Sequence, residues 1–341
     1  MLDINKEEVD FLVTSNMVEE VKTVINRDFP KIDKIIFESL RRKINRVYFV
    51  ACGSPLCACD TAKFIFDKYS KIPCETYSGW DFLDHPPHEL NKRSLVVAVS
   101  DSGETEEVAN ALEKAKEKGA LTVGFSKKEE DTLLSEIPEY LIAYQADCIW
   151  EVHLLLTYYI SIQYILCFND NEDLKQILAD FNKLPRVLED LVNNVEENSK
   201  KLAEKATEWS FIYTVGAGPL LPLTYKEGII TMLEFTWTHG SYLNAAEFRH
   251  GPLEVVEEGV PYIFLLGTDS SRHTTERALK FIKKLTDDYI VFDYQEISHG
   301  LHPLLAPFVL FVPLEYFYYY LSINKDHNPD DRRYYGGLME Y

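Results

Sequence analysis

Two short stretches rich in small hydroxyl residues contain the side chains best suited to bind an anion. Residues 97–105 run Val-Ala-Val-Ser-Asp-Ser-Gly-Glu-Thr, and residues 50–55 run Val-Ala-Cys-Gly-Ser-Pro. In each, an apolar run stops at a turn that contains glycine, and a helical pattern follows. Neighbouring parallel strands that end this way bring hydroxyls, backbone N–H groups and helix N-termini to one point, which is typical of a phosphate site.

The candidate phosphate ligands lie in these two turns. Serine at a strand-to-helix turn is also a common helix N-cap, so a single such turn is a weak signal. The prediction of a phosphate site rests on the presence of two such turns. The residues predicted to bind phosphate and substrate here are Gly53, Ser54, Ser100, Asp101, Ser102 and Thr105.

A second group of residues is suited to proton transfer. Glu234 lies late in a mostly apolar helical pattern, where a carboxylate facing inward would have a raised pKa and could act as a base. Taken by itself, its position favours an ordinary glutamate on the polar face of the helix. Glu227 lies two helical turns earlier and is a second candidate. His250 precedes a Gly-Pro turn and could shuttle a proton, and His239 is its rival, because sequence spacing does not choose between them. Arg332 is a candidate cation for an anionic substrate.

The composition excludes several classes of partner. The net charge is −20, so the chain repels nucleic acid and anionic membrane surfaces. The six cysteines have neither zinc-site nor disulfide-framework spacing, and free thiols favour a reducing cytoplasm. The N-terminus lacks a signal-peptide pattern, and no apolar run is expected to be long enough to cross a bilayer. We expect no metal and no redox cofactor.

Strand and helix patterns alternate through the chain, which predicts the α/β class with parallel, doubly wound sheets flanked by helices. The pattern occurs twice, which suggests an internal duplication; a further strand is expected at residues 308–313. The second half lacks the Ser-x-Ser-Gly-x-Thr loop, so a single phosphate site is expected. The predicted segments are an N-terminal helical segment (1–45), a first α/β domain with the phosphate site (46–170), a helical connection (171–205), a second α/β domain with the catalytic residues (206–324) and a tail that could form a lid (325–341).

These motifs resemble the sugar isomerase (SIS) family of phosphosugar-binding domains. The resemblance is carried by Cys52-Gly53-Ser54, by the loop from Ser100 to Thr105 and by the segment Glu-Phe-Arg-His-Gly-Pro at residues 247–252. It implies tandem SIS domains and a homodimer or higher oligomer, with a site at the domain and subunit boundary. In the synthase branch of this family the histidine can come from the neighbouring subunit. That branch has a glutaminase domain, and none is expected here, which argues against glucosamine synthesis.

The chain also resembles the bacterial fructoselysine-6-phosphate deglycases over nearly its whole length. The match includes Tyr-Gln-Ala-Asp-Cys-Ile-Trp-Glu at residues 144–151 and the tail at residues 325–337. The resemblance implies a deglycase that combines isomerase and hydrolase chemistry: Glu234 moves a proton between C1 and C2, His250 assists ring opening, and water hydrolyses the imine. The alternatives are a deglycase for another 6-phosphorylated adduct, a phosphosugar isomerase and, outside enzymes, a phosphosugar-sensing regulator.

Overall fold

The computed structural model describes residues 2–334 and Met339, and the chain forms two compact units. The first unit is Asn16–Pro185, and the second combines Met1–Ser15 with Arg186–Tyr341. The expected N-terminal segment, residues 1–45, is therefore divided after Ser15, and the expected connection, residues 171–205, is divided after Pro185.

The first unit is built around a five-stranded sheet in the order β2-β1-β3-β4-β5, with every pair parallel. Strands β1, β3 and β4 are almost wholly buried, which explains why they are continuous apolar runs without alternation. The elements are α1 (Met17–Arg27), α2 (Phe29–Arg41), β1 (Arg46–Ala51), α3 (Ser54–Tyr69), β2 (Cys74–Tyr77), α4 (Gly79–Asp84), β3 (Ser94–Val99), α5 (Glu106–Glu117), β4 (Leu121–Ser126), β5 (Tyr140–Ala143), α6 (Ile149–Leu166) and α7 (Glu172–Phe181).

The second unit contains a four-stranded parallel sheet in the order β7-β6-β8-β9. This order repeats that of the first four strands of the other sheet. The α/β fold with two parallel, doubly wound sheets is confirmed. The elements are α8 (Leu184–Asn194), α9 (Glu196–Ala206), β6 (Phe211–Gly216), α10 (Leu221–Tyr225), a π-helical segment (Lys226–Thr231), α11 (Met232–Thr236), β7 (His239–Asn244), β8 (Tyr262–Leu266), α12 (Arg272–Ile282), β9 (Tyr289–Asp293), α13 (Tyr294–Ile297) and α14 (Ala306–Asn324).

One expectation about secondary structure is wrong, and one strand was not foreseen. The strand expected at residues 308–313 is part of helix α14, because an apolar run buried on all sides does not distinguish a core strand from a core helix. Strand β7 was not predicted. It is an edge strand with partly exposed, mixed polar residues, so it has neither an apolar run nor a clean alternation.

Helix α14 also corrects the expectation about membrane spans. Within the described residues, one stretch, Pro303–Asn324, has the length and composition to cross a bilayer. Pro313 and Glu315 both lie inside the helix and do not interrupt it. In an apolar 18-residue window of this stretch, 94% of the residues are buried within the protein. A buried core helix passes the same test of length and composition, so this stretch is weak evidence for a membrane span.

Candidate functional site

The two hydroxyl-rich turns follow neighbouring strands of the first unit. Strands β1 and β3 pair in register, with Ala51 opposite Val99 at their carboxyl ends. The strand order reverses here: β2 follows on one side and β4 on the other. Ligands of doubly wound sheets bind at such a switch point. Gly53 and Gly103 have φ angles of 64° and 73°, which only glycine adopts without strain, and they turn the chain into α3 and α5.

The hydroxyls of these turns differ in exposure. Ser100 is 3% exposed, and its Oγ lies 2.9 Å from the Thr105 Oγ1. Ser102 is exposed, and its Oγ accepts a hydrogen bond from the Glu104 N–H at 3.1 Å. Ser54 is the first residue of α3. The two helix N-termini supply N–H groups and a favourable dipole for a phosphate.

The loop after β3 is held by backbone hydrogen bonds before its glycine and at the glycine itself. The Asp101 carbonyl accepts from the Lys127 N–H at 3.0 Å, and the Gly103 carbonyl accepts from the Leu134 N–H at 2.9 Å. A Cβ on Gly103 would lie 2.5 Å from the Thr132 Oγ1. The loop is thus fixed before any ligand binds, which lowers the entropy cost of binding.

The equivalent turns of the second unit contain a carboxylate. Asp269 follows β8, and its Oδ1 accepts from the N–H of Ser271, at 2.8 Å, and from the Ser271 hydroxyl, at 2.6 Å. The same carboxylate approaches the turn after β6, where Oδ1 lies 3.2 Å from the ideal Cβ position of Gly218. An internal acidic group therefore uses the N–H donor at the start of α12 that a phosphate would need.

Glu227 is buried in the π-helical segment and is 0% exposed. Its Oε1 accepts from the Nζ of Lys226 at 2.8 Å, and Lys226 is itself 2% exposed. The Lys226 Nζ also lies 4.7 Å from the centre of the Phe311 ring. The Glu227 carboxylate is therefore part of a buried ion pair.

Glu234 lies on the outside of α11, with a side chain that is 49% exposed, which is the position of an ordinary polar-face glutamate rather than of an inward-facing carboxylate. The structure brings Glu234 and Arg332 together: the Arg332 Nη2 lies 3.8 Å from the Glu234 Oε2. The Arg332 guanidinium also lies 5.6 Å from the Phe235 ring centre. These two candidate residues form one polar surface.

An aromatic and cationic cluster beside Glu234 was not foreseen from the sequence. Trp237 follows α11 with a φ of 49°, an unusual value for a tryptophan. The Arg333 guanidinium lies 4.0 Å from its ring centre, and the His327 ring lies 4.1 Å from it. Burial lowers the pKa of His327. The tail predicted as a lid is described only to Tyr334 and at Met339; residues 335–338, 340 and 341 lie outside the described part of the chain.

The two candidate histidines lie at opposite ends of strand β7. His239 begins the strand, just after α11 and Glu234, whereas His250 follows its carboxyl end. A strand of this length spans roughly 20 Å. Within one chain, Glu234 therefore precedes the end of β7 at which His239 lies, and His250 follows the other end.

The described residues contain no group of three or more His, Cys, Asp or Glu side chains placed to hold a metal ion. The expectation of a cofactor-free reaction stays a prediction.

The SIS domain model matches residues 40–147, which contain both hydroxyl-rich turns, so the first unit contains a SIS domain. The chain is 55% identical over its full length and the full length of the fructoselysine 6-phosphate deglycase of Escherichia coli K12. It is 32% identical to the fructosamine deglycase of Bacillus subtilis, over 86% of this chain and 92% of that one. A solved structure described as a phosphosugar isomerase, also from Bacillus subtilis, aligns with a TM-score of 0.83 and 30% identity, over 92% of this chain and 97% of that one.

The chain thus belongs to the family of the fructoselysine 6-phosphate deglycases.

Proposed function

We propose that this chain is a deglycase that converts fructoselysine 6-phosphate and water into glucose 6-phosphate and lysine. The observation that carries the proposal is the 55% identity to a fructoselysine 6-phosphate deglycase across the whole of both chains. The paired hydroxyl turns supply a phosphate site. A cytoplasmic location and a homodimer remain predictions from the sequence.

In the proposed mechanism, the hydroxyls of Ser54, Ser100, Ser102 and Thr105 and the N–H groups of their turns hold the phosphate. The sugar ring opens to the free ketone. Glu234 removes a proton from C1, which gives an enaminol, and the proton returns at C2. The product is an imine at C1, which water hydrolyses to the aldehyde of glucose 6-phosphate and the free amine of lysine. One carboxylate serves both steps because C1 and C2 are adjacent.

Glu234 is a better candidate for the base than Glu227. Its carboxylate is half exposed, whereas that of Glu227 is enclosed and paired with Lys226. Arg332 lies beside Glu234 and is suited to neutralise the developing oxyanion of the enaminol. His250 is the residue proposed to assist ring opening. Its place at the far end of β7 from Glu234 favours a histidine from a second copy of the chain.

The test of the base is the Glu234→Gln variant. We expect it to bind glucose 6-phosphate within about threefold of the unchanged protein and to lose about 10²–10⁴-fold in kcat, the usual contribution of a general base. Glu296→Gln is the matched control, since Glu296 is also an exposed glutamate on a short helix. Near-full turnover by Glu234→Gln would overturn the assignment.

The test of the substrate is a panel of 6-phosphorylated Amadori compounds with different amines, with glucose 6-phosphate release coupled to a dehydrogenase. We expect the lysine adduct to react with the highest kcat/KM and unphosphorylated fructoselysine not to react. A higher kcat/KM for another amine would change the substrate but keep the chemistry. Tight binding without release from any member would favour a phosphosugar-sensing regulator.

A further inference from the structure

Asp101 puts a negative charge inside the loop that is proposed to bind a phosphate. A buried tyrosine and a buried histidine hold the Asp101 carboxylate. The Tyr144 hydroxyl donates to the Asp101 Oδ1 at 2.6 Å, and the same hydroxyl lies 2.9 Å from the His153 Nε2. Tyr144 is 1% exposed and His153 is 0% exposed. The side chains of Asp101, Tyr144 and His153 therefore form a hydrogen-bonded relay that ends at the carboxylate of the loop.

The direction of each hydrogen bond follows from the protonation states. Burial lowers the pKa of His153 to about 4, so its ring is neutral near pH 7 and has a single N–H. Burial and the Asp101 charge raise the pKa of Tyr144, so the phenol keeps its proton. Because that proton is donated to Asp101, the His153 Nε2 must donate to the Tyr144 oxygen.

The relay also connects the loop to the helix that supports the other turn. His153 lies on α6, and the hydroxyl of Thr157, one turn further along α6, donates to the His153 carbonyl at 2.7 Å. It also lies 3.5 Å from the carbonyl of Ala58, on α3. Helix α3 begins with Ser54 of the other turn. A shift of α6 would therefore affect both hydroxyl-rich turns of the anion site.

We propose that Tyr144 and His153 are positioning residues for phosphate binding, which hold the Asp101 carboxylate in place and keep its charge away from the bound phosphate. This inference rests on the proposed phosphate role of the loop. It also changes the role of Asp101 from a direct ligand to a group that must be restrained.

The first test is Tyr144→Phe. We expect the KM for the phosphorylated substrate and the Kd for glucose 6-phosphate to rise about tenfold, as for the loss of one hydrogen bond to a charged group, with kcat within about twofold. Tyr159→Phe, on α6, is the matched control. The Tyr159 hydroxyl likewise donates to an aspartate, Asp33, at 2.9 Å, and accepts from Gln163 at 2.8 Å. It should lose similar thermal stability and keep its KM.

The second test removes the charge. In Asp101→Asn the amide oxygen still accepts from Tyr144, and we expect the KM for the phosphorylated substrate to fall, because the negative charge beside the phosphate is gone. In the double variant with Tyr144→Phe we expect most of the tenfold loss to disappear, because no charge remains to be restrained. This arm keeps the inference testable if Tyr144→Phe alone does not fold.

The inference is overturned if Tyr144→Phe and Tyr159→Phe change the Kd for glucose 6-phosphate equally, or if Asp101→Asn alone raises it tenfold. Calorimetry with glucose 6-phosphate separates this inference from the proposed function. If the unchanged protein turns over no Amadori compound but Tyr144→Phe still weakens sugar-phosphate binding, the proposed function is wrong and the inference stands. If turnover is present and binding is unaffected by Tyr144→Phe, the inference alone is wrong.

Discussion

Glu315 gives a prediction whose sign and size follow from its surroundings. The residue lies inside α14 and is 0% exposed. Its Oε1 accepts from the Leu12 N–H at 3.1 Å. Burial raises its pKa from 4.5 to about 7; the Lys226 charge opposes this rise and the Glu227 charge adds to it. Replacement by glutamine keeps the shape and removes the titration.

Because the pKa of Glu315 is raised in the folded state, the free energy of unfolding falls as the pH increases. Between pH 4.5 and about 7 the folded chain keeps a proton that the unfolded chain has released. The free energy of unfolding therefore falls through this window and reaches its full loss above pH 7. A change in pKa from 4.5 to about 7 corresponds to roughly 3 kcal/mol. Glu315→Gln does not have this loss, so its stability relative to the unchanged protein should rise by up to about 3 kcal/mol between pH 5 and pH 8.

The assay is thermal and urea unfolding of both proteins at pH 5 and pH 8. A gain of about 3 kcal/mol corresponds to roughly 6–12 °C in Tm for a unit of this size. Glu196→Gln is a control of opposite sign. Burial raises the Glu196 pKa, but hydrogen bonds from Lys6 and Tyr320 outweigh burial and lower it overall. Loss of this carboxylate should destabilise the protein at neutral pH and matter less towards acid pH. If the Glu315→Gln difference does not change with pH, the reasoning is refuted.

Two further predictions concern the loop and the assembly. Gly103→Ala should lower the free energy of unfolding by about 2 kcal/mol or more and raise the KM, because the backbone is left-handed there and the new Cβ would lie 2.5 Å from the Thr132 side chain. Gly119→Ala is the control: its φ is similar but its nearest atom lies at 3.6 Å, so it should lose only about 1 kcal/mol. Equal Tm values for the two variants would contradict this reasoning. If His250 acts in the site of a second copy, co-expression of Glu234→Gln and His250→Asn chains should restore about a quarter of the activity of the unchanged protein, since random mixing gives half mixed dimers with one intact site each. Activity no greater than that of the separate variants would contradict a shared site.

The phosphate turns were predictable because their signal is local. A buried parallel strand requires a continuous apolar run, and a turn with positive φ requires glycine, so both stretches can be read one residue at a time. The in-register pairing of β1 with β3 then follows from the reversal of strand order at the switch point.

The choice between Glu227 and Glu234 could not be made from the sequence, because it depends on helix phase. In an α-helix residues seven apart share a face. Here a π-helical segment, Lys226–Thr231, lies between them and has more residues per turn. The phase therefore shifts, and one glutamate is enclosed while the other is half exposed. The relay from His153 to Asp101 was also missed, because its three members come from separate elements and no sequence pattern connects them.

The carboxylate of Asp269 in the second unit acts as a tethered competitor. A group on the same chain is present at its site at an effective concentration far above that of free metabolites in solution. A sugar phosphate arriving at the turns after β6 and β8 would have to displace it and also overcome its negative charge. The second unit therefore repeats the sheet but not the phosphate site, and each chain should bind one phosphosugar rather than two.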